Sequence, residues 1–379
     1  MQFRVLVLAV LLVLAAVGPA SGVAAGATPT AVGDASHTGP SVTCSFPYTA
    51  TDATGTEVTL DADPERIVTL NPSAAQTMWE IGARDEVVGF SQYATYLEGA
   101  GSGDRVNVSG AGGPSVEKVL AADPDLVLVP NSTYGFAADR VEQIRAQGVP
   151  VFVFGQPTSL AAVANKTERI GRLTGNCEGG VERADEMRQS IALMEQALED
   201  EDEDRPLALN VFHGYTSGAN TFIGDVMESA GVRNGAAEAG ITGFQMINDE
   251  TVVELDPQWI VAPEDSPIPE NEAYNSTRAI QEGNVVRVNT NYLQQPAPRS
   301  VRAAETILEA VHPDAYEEYQ TLQSQAETST TEAATTEAAT TTTTAETDAP
   351  ATTSTDSPGF GLSVSVVALA AAALLALRR

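Results

Sequence analysis

Aromatic rings with amide or hydroxyl neighbours recur directly after short apolar segments of the sequence, where a β-strand would end. The residues are Asn71, Pro72, Ser73, Tyr93, Tyr96, Asn131, Tyr134, His213, Tyr215, Phe222 and Tyr292. Side chains of these types suit a large, flat, partly apolar ligand that is held without covalent chemistry. Any single Tyr could equally pack in a core or a loop, so the prediction depends on the recurrence.

Signals for metal binding and catalysis are sparse. The three histidines, His37, His213 and His312, are too few and too scattered for a site built from several His ligands. The sequence has no Gly-x-Ser-x-Gly elbow, no Walker loop and no Cys-x-x-Cys. We therefore predict no catalytic residue, no metal site and no cofactor, although a catalytic pair that is distant in sequence stays open.

The segments around these residues alternate between strand and helix patterns. Strands are predicted at 66–70, 86–90, 125–129 and 149–154, and helices at 73–81, 115–121 and 137–147. Ser73 is expected to cap the first helix, and Gly82 to end it in a left-handed turn. This alternation predicts a parallel α/β sheet, and ligands of such sheets bind beyond the carboxyl ends of the strands.

The alternation stops at residue 159 and resumes after residue 204. Apolar residues from Val181 to Leu198 recur at spacings of three and four, which predicts one helix of about five or six turns. Strands are then predicted at 207–212, 259–262 and 284–288, and helices at 221–230, 249–255 and 299–311. We predict an N-terminal α/β lobe at 43–158, a connecting helical segment at 159–204 and a C-terminal α/β lobe at 205–323.

The chain ends have compositions unlike the body. Residues 1–25 combine one Arg, an apolar run and small residues, which indicates a secretory signal peptide, with an uncleaved anchor helix as the alternative. Residues 326–357 contain mainly Thr, Ala and Glu and are expected to form an extended stalk. Residues 358–379 end in an apolar run followed by two Arg, which is typical of a membrane-spanning signal.

The formal net charge is −31, and Lys118 and Lys166 are the only lysines. Such a surface indicates adaptation to high salt and argues against nucleic acid as a partner. Capture of a cationic ligand is the alternative explanation. In an oxidising exterior, the only two cysteines, Cys44 and Cys177, are expected to form a disulfide, with free thiols as the alternative.

Four segments carry a resemblance to the periplasmic binding proteins for cobalamin and ferric siderophores. They read RIVTLNPSAAQTMWEIGARDEVVGFSQYATYL, SVEKVLAADPDLVLVP, NTFIGDVMESAGVRN and VVRVNTNYLQQPAPRS. The resemblance covers residues 43–315. It implies two Rossmann-like α/β lobes that are joined by a single long rigid helix and close modestly on a ligand.

The resemblance also implies a function and partners. The chain would be a monomeric, non-enzymatic solute-binding protein that delivers a small molecule to an ABC permease and its ATPase. Glu117 and Glu228 match the family's permease-docking acids, although solvated helix acids look the same. The segment 91–96 favours cobalamin over a ferric siderophore, and heme and molybdate stay open. A surface adhesive protein and a metal-cofactor enzyme are rivals from other classes.

The C-terminal segment resembles the PGF-CTERM sorting signal of archaeal surface proteins, with Pro358-Gly359-Phe360 ahead of the apolar run. The resemblance implies that an archaeosortase removes the helix and leaves the protein anchored to the cell membrane through a lipid. A plain tail anchor is the alternative. Sequons begin at Asn107, Asn131, Asn165 and Asn275 and make the protein a candidate glycoprotein.

Overall fold

The chain folds into two units, each built around its own parallel sheet. The computed structural model describes residues 42–199 and 205–341. Of these, the first unit contains 42–156 and 162–185, and the second contains 157–161, 186–199 and 205–341. The predicted signal peptide and sorting signal lie outside the described residues.

The first unit contains a five-stranded parallel sheet, a hairpin that packs on its edge, and a small second hairpin. Its strands are β1 (Tyr48–Thr51), β2 (Glu57–Leu60), β3 (Ile67–Thr69), β4 (Val87–Phe90), β5 (Val106–Asn107), β6 (Ser109–Gly110), β7 (Gly113–Pro114), β8 (Leu126–Pro130) and β9 (Val151–Phe154). The helices are α1 (Pro72–Glu80), α2 (Val116–Ala121), α3 (Asn131–Arg145), α4 (Leu160–Leu173) and α5 (Cys177–Ala197), and α4 and α5 each include residues of both units. The order of the strands in the parallel sheet is β5-β4-β3-β8-β9. The predicted strands 66–70, 86–90, 125–129 and 149–154 and the predicted helices α1 and α2 are confirmed, with ends within about two residues of those predicted.

The central strands are apolar on both faces because helices cover both faces of the sheet. Ile67, Leu126 and Phe152 pack into one hydrophobic cluster with α1 and α4. Val127 and Val153 point to the other cluster, with α2 and α3. All five strands run in the same direction, so their carboxyl ends meet at one edge of the sheet.

The caps of α1 differ in part from prediction. Asn71, and not Ser73, is the N-cap, because its side chain accepts a hydrogen bond from the Ser73 backbone N–H at 2.7 Å. Ser73 is instead buried within the first turn. The predicted left-handed turn at Gly82 is confirmed by its φ of 82°.

Two long-range ties hold the edges of the first unit. The Asp52 carboxylate accepts hydrogen bonds from Thr54, Thr56 and the Val153 backbone N–H and pairs with Arg145, which ties the β1–β2 hairpin to β9. Burial raises the pKa of Asp52, but these hydrogen bonds outweigh it and leave the pKa below its ordinary value. The predicted disulfide is present between Cys44 and Cys177, the first residue of α5.

The second unit repeats the α/β plan around a smaller parallel sheet of four strands. Its strands are β10 (Leu207–Asn210), β11 (Tyr215–Ser217), β12 (Arg233–Asn234), β13 (Phe244–Met246), β14 (Trp259–Pro263) and β15 (Val285–Val288). Its helices are α6 (Phe222–Ser229), α7 (Gly235–Glu238), α8 (Asp249–Leu255), α9 (Glu272–Asn275), α10 (Arg278–Glu282), α11 (Thr290–Leu293), α12 (Ser300–Val311) and α13 (Pro313–Thr341). A parallel sheet has the order β12-β10-β14-β15, and β11 pairs with β13 in a separate antiparallel ribbon.

Two expectations about helices were wrong. Helix α3 begins at Asn131, directly after β8, and not at residue 137 as predicted. Ala137 is the one residue inside this helix with non-helical backbone angles. Helix α13 continues to Thr341, so residues 326–341 are helical and not extended. Ala and Glu are strong helix formers, and their repeats outweigh the weaker propensity of the intervening Thr.

Candidate ligand-binding site

A cavity lies at the carboxyl ends of β3, β4 and β8 in the first unit. Its volume is about 330 Å³, near the lower limit for small-molecule sites, so it would enclose part of a large ligand. Its lining residues are Leu70, Asn71, Pro72, Ser91, Gln92, Tyr93, Val108, Ser109, Gly110, Gly112, Gly113, Pro114, Thr133 and Phe136. Of the predicted ligand residues, Asn71, Pro72 and Tyr93 line this cavity.

Hydrogen bonds fix the polar lining. The Ser91 hydroxyl accepts from the Tyr93 backbone N–H at 3.2 Å and so orders the turn that presents the Tyr93 ring. The Ser109 hydroxyl accepts from the Gln92 backbone N–H at 2.9 Å, which joins the segment after β4 to the β6–β7 hairpin. The cavity is therefore a preformed feature of the first unit.

The β6–β7 hairpin forms one wall of the cavity mainly with its backbone. Gly112 and Gly113 have φ values of 68° and 130°, which L side chains rarely adopt. A Cβ atom on Gly113 would lie 3.2 Å from the Phe136 ring and 3.3 Å from the Ala137 Cβ. Glycine thus allows the hairpin to lie directly against α3.

Two exposed rings stand at this cavity, and no charged residue lines it. Tyr93 is 70% exposed and Phe136 is 67% exposed, so both present large apolar surfaces to solvent. The other lining groups are amides, hydroxyls, small aliphatic side chains and peptide groups. This chemistry suits a neutral ligand with amide or hydroxyl groups and an apolar face.

Several predicted ligand residues of the first unit lie elsewhere. Tyr96 packs against the hydrophobic core, and its hydroxyl accepts a hydrogen bond from Gln76. Tyr134 packs against the opposite cluster and donates to Glu142, which raises the pKa of the Tyr134 hydroxyl. Ser73 is buried, and Asn131 is exposed at the start of α3 without lining the cavity.

The second unit presents an exposed aromatic ribbon. On the paired strands β11 and β13, Tyr215 stands opposite Met246, and the Tyr215 ring stacks on Phe244 with centroids 5.0 Å apart. Tyr215 is 38%, Phe244 49% and Met246 71% exposed. We call these three residues the aromatic ribbon.

The remaining predicted residues of the second unit differ in exposure. His213 is exposed, has a φ of 50° and packs edge-on against Phe212, with centroids 4.6 Å apart. Phe222 is buried in the first turn of α6, so its ring is not presented at the surface. Tyr292, on α11, lies under the guanidinium of Arg302 at 5.8 Å.

Sequence reasoning missed Phe136, Phe244, Met246 and the glycine hairpin. Phe136 follows Thr133 by three residues, a spacing that places both on one helical face once α3 is known to start at Asn131. The sequence Gly112-Gly113-Pro114 was itself a turn signal. Phe244 and Met246 alternate along β13, but a three-residue strand is too short for its alternation to be distinctive.

The predicted docking acids are both exposed. Glu117 lies in the first turn of α2, whose N-cap is Ser115. Glu228 lies on α6, where desolvation by surrounding residues and then the nearby Asp225 raise the pKa of its carboxyl group. Within the described residues there is no cluster of three or more His, Cys, Asp or Glu side chains that could hold a metal ion.

Sequence comparison assigns this chain to a class of protein. A family model described as periplasmic binding protein matches residues 67–292, more than half of the chain. The chain belongs to the periplasmic binding protein family. Proteins of this family bind solutes and work with an ABC permease and its ATPase, and they are not enzymes, so the chain is an ABC-type solute-binding protein.

The chain is also similar to individual proteins and solved structures. The chain is 44% identical over 292 residues to a cobalamin-binding protein of Halobacterium salinarum, covering 73% of this chain and 78% of that relative. Among solved structures, it is similar to the periplasmic heme-binding protein RhuT from Roseiflexus sp. RS-1, with 25% identity and a TM-score of 0.58 over 66% of this chain and 99% of that one. It also shares the fold of the periplasmic vitamin B12-binding protein BtuF of Vibrio cholerae, with 22% identity and a TM-score of 0.56 over 66% of this chain and 98% of that one.

The C-terminal segment matches the PGF-CTERM motif over residues 357–379. This motif indicates an archaeal surface anchor, and proteins of the family act outside the cell. In the part of the chain that the structure describes, no helix is both long enough and apolar enough to cross a membrane.

Proposed function

We propose that this protein captures cobalamin or a closely related corrinoid for an ABC importer. The observation that carries the proposal is the uncharged lining of the first unit's cavity, with amide and hydroxyl groups beside two exposed rings. A corrinoid offers a flat macrocycle with a periphery of neutral carboxamides. Such carboxamides can exchange hydrogen bonds with Asn71, Gln92 and the peptide groups of the hairpin.

Charge also favours a corrinoid over the competing ligands. Heme carries two propionates, molybdate is an anion, and many ferric siderophore complexes are anionic. The cavity supplies no cationic side chain to its lining, and the chain as a whole carries a formal charge of −31. Anionic ligands would therefore lose their hydration without gaining a charged partner.

The aromatic ribbon supports the same assignment. Tyr215 and Phe244 present stacked rings whose faces and edges remain partly open. Exposed aromatic and Met side chains are favourable surfaces for a flat, apolar ligand face. Judged separately, the ribbon suits an apolar ligand face and the cavity suits an amide periphery.

The test is a binding titration of the full-length protein, purified in detergent at high salt. Cyanocobalamin, heme, a panel of ferric siderophores and molybdate are each titrated by calorimetry, and the visible spectrum is recorded after desalting. We expect retention of cyanocobalamin at one molecule per protein. Preferential retention of heme or of a siderophore would overturn the corrinoid assignment while leaving the family assignment intact.

We further infer that Glu117 and Glu228 dock the protein on its permease. Both are exposed acids on short helices, one in each unit, where they could pair with basic residues of a partner. Charge pairs of this kind mainly fix orientation and the rate of association. The ion pairs would leave the ligand-binding cavity untouched, because neither acid lines it.

The docking test compares the variant Glu117→Gln/Glu228→Gln with Glu178→Gln/Glu254→Gln. The control acids are also exposed on helices of the two units, α5 and α8. We expect the docking variant to lose uptake of radiolabelled cyanocobalamin in cells that carry the cognate importer, with unchanged affinity in solution. Equal uptake by the two variants would contradict the docking assignment.

Surface processing is a separate part of the proposal. The PGF-CTERM match supports removal of the C-terminal helix by an archaeosortase and retention through a lipid. Glycans are proposed at Asn107 and Asn275, which are exposed and do not line the cavity. Intact-mass spectrometry of the native protein tests both, since an unprocessed C-terminus or unmodified sequons would be seen directly.

A further inference from the structure

The β6–β7 hairpin, residues Ser109–Pro114, forms a large part of the cavity lining. Its own side chains are small and make few contacts with the rest of the unit. Its residues are Ser, Gly, Ala, Gly, Gly and Pro, so no large side chain anchors it in the core. Glycine-rich segments have more conformations to lose on folding than other segments. The wall therefore needs outside support to keep one shape.

Arg140 on α3 provides that support. Its Nη2 donates to the Ala111 carbonyl oxygen at 2.9 Å, and its Nη1 donates to the Pro114 carbonyl oxygen at 3.1 Å. These two carbonyls flank the Gly112–Gly113 turn. A guanidinium is planar and rigid, so one side chain fixes both ends of the turn at once.

Arg140 supports the wall without being one of the residues that line the cavity. The cavity is lined by Gly112, Gly113 and Phe136, whereas Arg140 itself is not a lining residue. A Cβ atom on Gly113 would lie 3.3 Å from Arg140 Nη1, so the guanidinium lies directly against the turn. Arg140 thus contacts the wall without lining the cavity.

A second cation holds the other end of the hairpin. Lys118 Nζ donates to the Ser109 carbonyl oxygen at 2.9 Å, but its side chain is exposed and that bond competes with water. Arg140 is half-buried and makes two bonds, so it contributes more to the shape of the wall.

We propose that Arg140 is a positioning residue for ligand binding, which sets the shape of the cavity by bridging the Ala111 and Pro114 carbonyls across the glycine turn. The effect on corrinoid binding rests on the proposed function above. The effect on the hairpin itself does not depend on which ligand binds.

Arg66 offers a matched control in the same unit. Its Nε donates to the Asp123 carbonyl oxygen at 2.7 Å and its Nη2 to the Ala122 carbonyl oxygen at 2.6 Å. The chemistry is the same, one guanidinium bridging two backbone carbonyls, but Arg66 does not line the cavity or contact the hairpin through these bonds. A loss that follows only from weaker folding should appear in both variants.

The experiment measures cyanocobalamin affinity and dissociation rate for Arg140→Met, Arg140→Lys and Arg66→Met in the full-length protein. We expect about a tenfold loss of affinity for Arg140→Met, a smaller loss for Arg140→Lys because one donor group remains, and a change below about twofold for Arg66→Met. Unchanged affinity in Arg140→Met, or an equal loss in Arg66→Met, overturns the proposal.

Hydrogen exchange separates this proposal from the ligand assignment. In the ligand-free protein, the amides of Gly112 and Gly113 should exchange about tenfold faster in Arg140→Met than in the wild type. In Arg66→Met, they should exchange at the wild-type rate. If the wild type does not bind cyanocobalamin, the proposed function fails, and this measurement alone then decides the role of Arg140. Equal exchange in Arg140→Met and the wild type would overturn the proposal whatever the ligand is.

Discussion

The two units present different surfaces beyond their strands. In the first unit, peptide groups and neutral polar side chains enclose a cavity with Tyr93 and Phe136 beside it. In the second unit, the aromatic ribbon is an open surface of stacked rings on a two-stranded sheet. The same α/β plan has thus produced one site suited to polar contacts and one suited to apolar contacts.

The difference follows from how each unit continues after its first strands. In the first unit, β4 leads through the turn at Gln92–Ala94 and strand β5 into the glycine hairpin, which closes a wall. In the second unit, β10 leads into β11, which pairs with a distant strand, β13, and leaves ring faces exposed. A fold therefore fixes where a site lies, while the loops decide its chemistry.

The largest expected effect concerns the disulfide, whose two cysteines both lie in the first unit. Replacing both Cys44 and Cys177 by Ser removes a link between residues separated by 133 positions. We expect the free energy of unfolding of the first unit to fall by about 4 to 5 kcal/mol by the chain-entropy relation. Hydrogen exchange in increasing denaturant measures each unit separately.

The second unit serves as the internal control for that prediction. The amides of the second unit should exchange at the same rates in the Cys44→Ser/Cys177→Ser variant as in the wild type under non-reducing conditions. A similar loss of protection in both units would show that the disulfide stabilises the whole chain and would weaken the contrast between them.

The next effect concerns Lys166, a buried residue of α4 in the first unit. Its Nζ is buried and donates to the Ser73 hydroxyl at 3.5 Å, and burial lowers the pKa of Lys166 to about 7 from 10.5. Between these two pH values the folded protein binds fewer protons than the unfolded chain. Raising the pH from 7 toward 10 should therefore stabilise the protein through this group, by on the order of 1 kcal/mol per pH unit.

Lys166→Met isolates this contribution. We expect the variant to lack that part of the rise in stability, measured by denaturant unfolding at several pH values between 7 and 10. Groups that titrate in both proteins cancel in the difference. Parallel stability curves for the wild type and Lys166→Met would contradict the lowered pKa.

Removing rings tests whether both surfaces contact the ligand. Tyr93→Ala and Phe136→Ala in the first unit, and Tyr215→Ala and Phe244→Ala in the second, should each weaken cyanocobalamin binding by about tenfold, which corresponds to about 1.4 kcal/mol. Calorimetric titration gives the affinities. Loss confined to one unit would show that only one of the two surfaces recognises the ligand.

Tyr316→Ala is the control for these variants. Tyr316 lies on α13 and belongs neither to the cavity lining nor to the aromatic ribbon, so the affinity of this variant should stay within about twofold of that of the wild type. Tyr319 is unsuitable because its ring is buried and its hydroxyl donates to Glu305 at 2.7 Å, so its removal would mainly report stability.

The sheet could be predicted from sequence because its central strands are buried. Continuous runs such as 126–130 and 151–154 are apolar on both faces, and they are bounded by Gly and Pro signals. The hairpin at 109–114 has no such periodicity. Its position depends on glycine conformations and on bonds from Arg140 and Lys118, of which the longest joins residues 29 positions apart in the sequence.

The site could be predicted only in part because a strand end fixes where a residue lies but not where its ring points. Tyr93 and Tyr96 are separated by three positions around one short helical turn, yet Tyr93 is exposed at the cavity and Tyr96 packs into the core. Tyr96 packs on the core and accepts a hydrogen bond from Gln76, twenty residues earlier. Contacts between residues this far apart are set by tertiary packing, which local spacing does not encode.

The smallest expected effect separates the two surfaces most sharply. Tyr93→Phe and Tyr215→Phe each remove one hydroxyl and keep the ring. In the polar cavity, the Tyr93 hydroxyl is a donor or acceptor for an amide group, so we expect binding of cyanocobalamin to weaken by about threefold. On the aromatic ribbon, Tyr215 acts through its stacked ring face, so removing its hydroxyl should change the affinity by less than about twofold.

Calorimetric titrations of both variants at the same salt concentration measure the difference. The reverse order, with Tyr215→Phe the weaker binder, would mean that the ribbon and not the cavity reads the polar groups of the ligand, and the division of roles between the units would have to be exchanged.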